Sequence, residues 1–229
     1  EDSDYIDIVL DFASSLMIST ENGCDYFFQF YIETFDDFLI YILNHSSTSH
    51  FLDIFKSFII ASDDSILEHV DFAILTNSSI FQSDDNLYLL LSTMNSILKQ
   101  MQSKGIINTI LSISISFLKG IKLSEVTFRT REIYLQLLSS IMDFNILILQ
   151  ENGCPLIDIL LQLFDQTGIL GVTITLLLKI INNSQLTDLH KEIFAKQQEF
   201  IDQLDEMEDF EGPDGDRIRA LSDFFKQLD

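Results

Sequence analysis

A four-residue string, Glu-Asn-Gly-Cys, occurs twice in the chain, at residues 21–24 and 151–154. Each copy follows one apolar run and precedes another, as with Leu16-Met17-Ile18 before the first copy and Leu156-Ile157 after the second. Glycine accepts the left-handed backbone conformation in which helices commonly end, so each copy predicts a helix–glycine–helix junction. A junction that recurs along a chain is typical of a helical solenoid, in which each unit packs on its neighbours.

Two further junctions fit between the two copies. Gly105 precedes the apolar run that starts at Ile106, and His69 precedes the run that starts at Val70, with histidine where the other junctions have glycine. Taken at residues 23, 69, 105 and 153, the spacings are 46, 36 and 48 residues. These spacings bracket the period of about 40–47 residues that armadillo and HEAT repeats share.

The pattern resembles the armadillo-repeat family over roughly residues 4–183. The resemblance implies an all-α fold, a right-handed superhelical solenoid of armadillo-like repeats. We expect about four units over residues 1–184, the first of them partial, and a C-terminal helical hairpin over residues 185–229 that caps the solenoid. The alternative for that hairpin is a separate amphipathic module that docks on a partner. In the family, the glycine separates the second and third helices of a unit, and the third helix lines a concave groove.

Helix start signals and periodicity locate most of the individual helices. Ser83 precedes Asp84 and Asp85, a favourable cap and first turn. Residues 113–117 alternate like a strand, yet we expect a helix there, because Asn108, Ser112 and Ser116 then share one face. The predicted helices cover about residues 50–61 (capped by Ser49), 83–102, 106–118, 124–144 (begun by Ser124), 155–166, 169–182 and 187–207, with a loop over 211–215 before the last helix.

The net charge of −23 limits the class of partner. Most of such a surface repels nucleic acid, so DNA or RNA binding is not expected. The acidic ends of the chain suit a basic protein partner. Residues 99–131 differ, because they carry six Lys and Arg residues against the single acid Glu125. This basic island suits an acidic peptide.

The basic island also contains the predicted partner-binding residues. On a groove-lining helix over 106–118, the polar face would point into the groove, and cations would sit at both ends of the helix and at the start of the next one. The competing interpretation is a solvated patch that balances a very acidic protein. The predicted site consists of Lys104, Asn108, Ser112, Ser116, Lys119, Lys122, Arg129 and Arg131.

No sequence pattern indicates catalysis, a cofactor or a metal. The four histidines lack zinc-site spacing, and neither a phosphate-binding loop nor a nucleophile motif is present. The acid-rich stretch from Asp205 does not match a calcium-binding loop, whose sixth position would be Phe210 instead of glycine. No uncharged apolar stretch reaches about 18 residues, so a membrane span is not expected. The two cysteines occupy equivalent repeat positions beyond disulfide reach, which favours the cytoplasm.

These features predict a non-catalytic protein–protein interaction scaffold that binds a peptide or helical segment on its concave face. The alternative, implied by the resemblance, is a regulatory armadillo module that docks on a folded protein such as a small GTPase, a chaperone ATPase or an actin regulator. The rings between Tyr26 and Tyr41 are too many for one thin helical layer, so we expect some of them to be exposed. A homodimer through these aromatics or the terminal helices stays open.

Overall fold

The computed structural model describes most of the chain from Phe35 onward, in segments that are helical or connect helices. No strand occurs among these residues, which confirms the predicted all-α fold class. Contacts group the chain into two compact units, Glu1–Ile141 and Met142–Asp229, called the N-terminal and C-terminal units below. The residues described are 8, 11, 12, 15, 35–62, 70, 72–77, 79–100, 107–151, 153–164, 166, 168–207 and 211–227.

The helices are numbered in chain order. Those that begin in the N-terminal unit are α1 (Phe35–His45), α2 (Thr48–Ala61), α3 (Ala73–Asn77), α4 (Asp84–Gln100), α5 (Ile107–Gly120) and α6 (Phe128–Asn145), with 3-10 turns at Ser79–Gln82 and Leu123–Glu125. The others are α7 (Leu147–Glu151), α8 (Leu156–Leu163), α9 (Leu170–Ile181), α10 (Thr187–Ala195), α11 (Gln197–Asp205) and α12 (Gly212–Lys226). The predicted division of the chain at residue 184 stays a prediction.

Helices α2 and α4 form the centre of the N-terminal unit. The apolar side chains of α2 recur at helical spacing and are buried, among them Phe51, Phe55 and Phe58. Helix α2 packs on α1 and α4, and α4 also packs on α5. Burial of one continuous apolar face is the main source of stability for helices of this length. The side chain of Ser47, two residues before the predicted cap Ser49, accepts a hydrogen bond from the backbone N–H of His50 at 3.3 Å and starts α2.

Two buried polar contacts attach α6 to α4 and α5. The hydroxyl of Ser140 donates to Oδ1 of Asn95 on α4 at 2.7 Å, and both side chains are buried. The hydroxyl of Tyr134 donates to the carbonyl of Leu118 at the end of α5, at 3.2 Å. Since a buried polar group without a partner is costly, these two bonds restrict how α6 can pack.

The C-terminal unit contains the second copy of the repeated string, and there the predicted junction is confirmed. Gly153 has a φ of 58°. Its N–H donates to the carbonyl of Gln150 at 3.0 Å, and the N–H of Cys154 donates to the carbonyl of Leu149 at 3.0 Å. This pair of bonds is the Schellman arrangement that closes a helix end. The other three predicted junctions, at residues 23, 69 and 105, lie outside the described residues.

An aromatic cluster stabilises the remainder of the C-terminal unit. Phe200 of α11 lies edge-on to Phe164, at 5.8 Å between ring centroids, and stacks on Phe225 of α12 at 5.1 Å. All three rings are fully buried. Helices α11 and α12 pack on each other, α12 also packs on α9, and α10 packs on α8 and α9. Apolar residues that recur along α10, α11 and α12 are buried, namely Leu189, Ile193, Phe200, Leu204, Ile218, Leu221 and Phe225, as is Met207 just after α11.

Three predicted boundaries were wrong, one of them because of a tertiary contact. The helix predicted over 187–207 is broken at Lys196, whose side chain pairs with Asp158, so that α10 and α11 face different neighbours. Residues 212–215 are the first turn of α12 and not a loop, because Pro213 needs no N–H partner there. Helix α6 starts at Phe128 instead of Ser124, after a 3-10 turn.

Candidate functional groove

An open groove of about 670 Å³ lies in the N-terminal unit. Three parts of the chain bound it. They are α3 with the first 3-10 turn, the start of α4, and the end of α5 with the segment that follows it. Apolar side chains line much of it, and most of them are only half-buried. The lining residues are Leu75, Phe81, Gln82, Asp84, Leu87, Ser116, Phe117, Gly120, Ile121, Lys122, Glu125 and Val126.

The start of α4 positions the acidic wall of the groove. Ser83 caps the helix as predicted, since its hydroxyl accepts from the N–H of Asn86 at 3.4 Å. The carboxylate of Asp84 accepts from the backbone N–H of Thr127 at 3.0 Å and from its hydroxyl at 2.7 Å. Partial burial raises the pKa of Asp84, but the hydrogen bonds from Thr127 outweigh it and hold this pKa below the usual 3.8. The carboxylate thus links the start of α4 to the segment before α6.

The predicted polar face of α5 is present. Asn108 and Ser116 are exposed and Ser112 is half-buried, whereas Ile110, Ile115 and other apolar side chains of α5 are buried. The hydroxyl of Ser116 donates to the carbonyl of Ser112 at 3.0 Å. Of these three polar residues, only Ser116 lines the groove.

Lys122 is the one predicted cation that lines the groove among the described residues. It pairs with Glu125 at 3.0 Å, and both side chains are mostly exposed, at 73% and 65%. Lys119 is exposed at the end of α5, and Lys104 lies outside the described residues. An ion pair this exposed contributes about 0–1 kcal/mol, so Lys122 can exchange Glu125 for a ligand carboxylate at little cost.

The two predicted arginines have partners within the chain. Arg129 lies over the ring of Tyr88, 3.7 Å from its centroid, and 3.7 Å from a carboxylate oxygen of Asp85. The side chain of Arg131 is half-buried, and its Nε donates to the carbonyl of Leu123 at 2.8 Å. Arg131 therefore holds the 3-10 turn beside the groove. Arg129 keeps an exposed guanidinium next to α4. The binding of a partner by Arg129 or Arg131 stays a prediction.

Sequence reasoning missed the apolar lining of the groove. Leu75, Phe81 and Leu87 come from segments that precede the basic island, and nothing in their local pattern sets them apart from core residues. They meet Phe117 and Val126 only because α4 packs on α5 and α3 also packs on α5. The one available signal was the apolar pair Ile80-Phe81 within the otherwise polar stretch of residues 76–86.

The aromatic prediction can be checked at one position. Tyr41 is the only ring between residues 26 and 41 whose side chain the structure describes, and it is 51% exposed. Its ring stacks on His45 at 4.2 Å between centroids. The exposure expected of some of these rings is thus confirmed for Tyr41, and the others lie outside the described side chains.

Within the described segments, no group of three or more His, Cys, Asp or Glu side chains could hold a metal ion. None of the helices found there has the combination of length and apolar character that crossing a bilayer requires.

The groove offers an apolar surface, the ammonium group of Lys122, and the carboxylates of Asp84 and Glu125. Comparisons of the chain with protein-family models, with curated proteins and with solved structures found no match.

Proposed function

We propose that the chain is a non-catalytic protein-interaction module whose groove in the N-terminal unit binds a segment of a protein partner. The observation that carries this proposal is the meeting of half-buried apolar side chains from α4, from α5 and from the positions on either side of the second 3-10 turn in one groove of about 670 Å³. Concave sites lined by apolar side chains with a few polar groups are where proteins usually bind ligands. The groove is open at the surface, which suits a peptide or a helix more than a small enclosed substrate.

The chemistry of the groove indicates what the bound segment carries. Its apolar side chains would cover Phe117, Ile121 and Val126, and removal of this surface from water would supply most of the binding free energy. A carboxylate of the segment would replace Glu125 on Lys122, with further attraction from Lys119 and Arg129. The proposal therefore retains the acidic peptide expected from the basic island.

The armadillo-like solenoid is part of this proposal. Its support is the closed helix end at Gly153, which lies in the second copy of the repeated string. We place the protein in the cytoplasm, as the sparse cysteines of the sequence favour.

Docking on a folded protein is the second candidate. It is favoured by Ile40 and Tyr41 of α1, which are 43% and 51% exposed and adjacent in sequence. The same two residues would serve the homodimer. In either case the contact would be a broad surface away from the groove, so changes in the groove would leave it intact.

Peptide display on the full chain tests the proposal. Peptides selected from a random library would be measured by calorimetry against the unchanged chain and against Ser116→Glu, which places a longer, negatively charged side chain in the groove. Gln136→Glu is the matched control, because it adds the same side chain at an exposed position of α6 that does not line the groove.

We expect selected peptides to be rich in apolar and acidic residues and to bind Gln136→Glu normally. Binding to Ser116→Glu should fall at least about tenfold, equivalent to about 1.4 kcal/mol. Failure to select any peptide, or equal loss in both variants, would contradict the groove as the binding site.

A further inference from the structure

Every Lys and Arg of the C-terminal unit is engaged by an aspartate. All six form ion pairs, three of them with a residue three positions away and three with a more distant helix or segment. The pairs are Lys179–Asp143, Lys191–Asp188, Lys196–Asp158, Arg217–Asp214, Arg219–Asp216 and Lys226–Asp205. The surface of this unit therefore presents no cation without a nearby carboxylate.

The acidic residues outnumber these cations by a wide margin. Residues 142–229 contain 17 Asp and Glu against six Lys and Arg. Among the carboxylates beyond the six pairs, Glu192, Glu199, Glu206, Glu211 and Asp223 are exposed. A surface with this surplus attracts cations and repels anions over about a Debye length, near 8 Å at physiological salt.

A small apolar pocket opens on the same unit. It has a volume of about 90 Å³ and is lined by Ile181 at the end of α9, by His190, Ile193 and Phe194 of α10, and by Phe224 of α12. Phe194 is 52% exposed. The imidazole of His190 is already engaged, with Nε2 2.8 Å from the carbonyl of Ile180, so it presents little polarity to the pocket. The volume is below the roughly 150 Å³ of a cavity that admits benzene, so it suits one aliphatic side chain.

We propose that this pocket is a docking site for a basic segment of a partner protein, which places one apolar side chain on Phe194 and Lys or Arg side chains beside Glu192 and Asp223. The two carboxylates directly precede the lining residues Ile193 and Phe224 in sequence. The apolar anchor supplies affinity, and the surplus negative charge selects basic partners and speeds association.

The charge distribution decides between the available occupants. A second copy of this chain carries a net charge of −23, so apart from its basic island at residues 99–131 its surface is repelled by this unit. An anionic membrane is repelled for the same reason. A basic peptide is attracted, and it relieves the crowding of carboxylates around Glu192. Burial of part of that side chain raises its pKa, and the nearby carboxylates of Asp158 and Asp188 raise it further despite Lys196.

This site goes beyond the proposed function, because it belongs to the other unit and takes the opposite charge. The two are distinguishable by variant: Ser116→Glu should leave the basic peptide bound, and a change at Phe194 should leave the groove peptides bound.

The probe is a synthetic amphipathic peptide of lysine with leucine at helical spacing, labelled for fluorescence anisotropy. A second peptide replaces every leucine with serine, and a third replaces every lysine with glutamate. They are titrated into the full chain and into Phe194→Ser, which removes the exposed anchor surface. Phe128→Ser is the matched control, because Phe128 is 48% exposed in the N-terminal unit. A double variant, Glu192→Lys with Asp223→Lys, tests the role of the negative charge. Its control is Glu132→Lys, because Glu132 is an exposed acidic residue of α6.

We expect the lysine–leucine peptide to bind, and Phe194→Ser to weaken it about tenfold, the loss typical of one interface anchor. Phe128→Ser should bind normally. The double charge reversal should weaken binding and flatten its salt dependence, whereas Glu132→Lys should not. The proposal is overturned if the unchanged chain does not bind this peptide, if the serine or glutamate peptide binds as tightly, or if Phe194→Ser and Phe128→Ser behave alike.

Discussion

Replacement of Gly153 by alanine isolates the free-energy cost of the left-handed turn that ends α7. The φ of Gly153 is 58°, and a Cβ built there meets no atom within 4 Å. The added methyl group therefore causes no clash with a neighbour, and the cost is that of the backbone conformation alone. For a residue with a Cβ, this left-handed backbone conformation costs about 1–2 kcal/mol. The net destabilisation is somewhat smaller, because alanine also lowers the conformational entropy of the unfolded chain. We expect a net loss of about 1 kcal/mol in the free energy of unfolding.

Gly120→Ala is the matched control, with the same chemical change and the opposite expected sign. Gly120 is the last residue of α5, does not have a positive φ, and also has open space where the Cβ would be. Alanine is the better helix former, so the free energy of unfolding should rise, by up to about 0.5 kcal/mol at a helix end. A third variant, Gly153→Asn, should lose less than Gly153→Ala, because asparagine tolerates the left-handed region.

Thermal unfolding followed by circular dichroism at 222 nm measures these differences, and the chain has no Trp to report by fluorescence. For a unit the size of Met142–Asp229, a loss of 1 kcal/mol lowers Tm by about 4–8 °C. If the two units unfold separately, each variant is compared on the transition of its own unit. An unchanged or higher Tm for Gly153→Ala, or equal losses at Gly153 and Gly120, would refute this reasoning.

The same substitution also tests the repeat. Gly23 and Gly105 occupy the predicted junctions that lie outside the described residues. If they end helices as Gly153 does, Gly23→Ala and Gly105→Ala should each cost about 1 kcal/mol as well. If neither substitution lowers stability, the predicted junctions do not mark a structural repeat.

Two further predictions concern polar contacts in the N-terminal unit. Ser140→Ala leaves the buried Oδ1 of Asn95 without its donor, so the free energy of unfolding measured in urea should fall by about 1–3 kcal/mol. The double variant Asn95→Leu with Ser140→Ala should lose less than Ser140→Ala alone, because it leaves no buried polar atom unpaired. Thr127→Val removes the hydroxyl that lowers the pKa of Asp84. The pKa of Asp84 in the folded chain lies below the ordinary value of 3.8, so its ionised carboxylate contributes stability above that value, and this contribution is lost as pH falls through the folded pKa. The difference in Tm between wild type and Thr127→Val should therefore be largest near pH 7 and shrink below a pH of about 4. A difference that is constant with pH would assign the effect to packing instead of charge.

Much of the fold could be predicted because it depends on neighbours in sequence. Ser83 caps α4 through a residue three positions away, and Gly153 ends α7 through bonds to residues three to five positions back. The apolar stripe of α5 could be recognised despite its alternation, since four-residue spacing placed the polar residues opposite Ile110 and Ile115. These interactions act within one or two turns of helix, so the local sequence contains the information.

The candidate site was predictable only in part. Ser116 and Lys122 were expected in a groove and do line one, but the apolar side chains beside them come from segments up to about 50 residues away, such as Leu75. Arg131, predicted to bind a partner, also bonds the carbonyl of Leu123 within the chain. A charge pattern indicates which residues are polar. It does not show which of them already bond to other residues of the same chain.

Sequence alone thus determined the helical class, most helix ends, the buried stripes and the acidic surplus, because periodicity, capping and composition are local or additive properties. Tertiary structure decided the break at Lys196 and the positions of the groove and of the pocket at Phe194. Each of these depends on contacts between residues far apart in sequence, such as Lys196 with Asp158, and the free energy of such contacts exists only once the helices have packed.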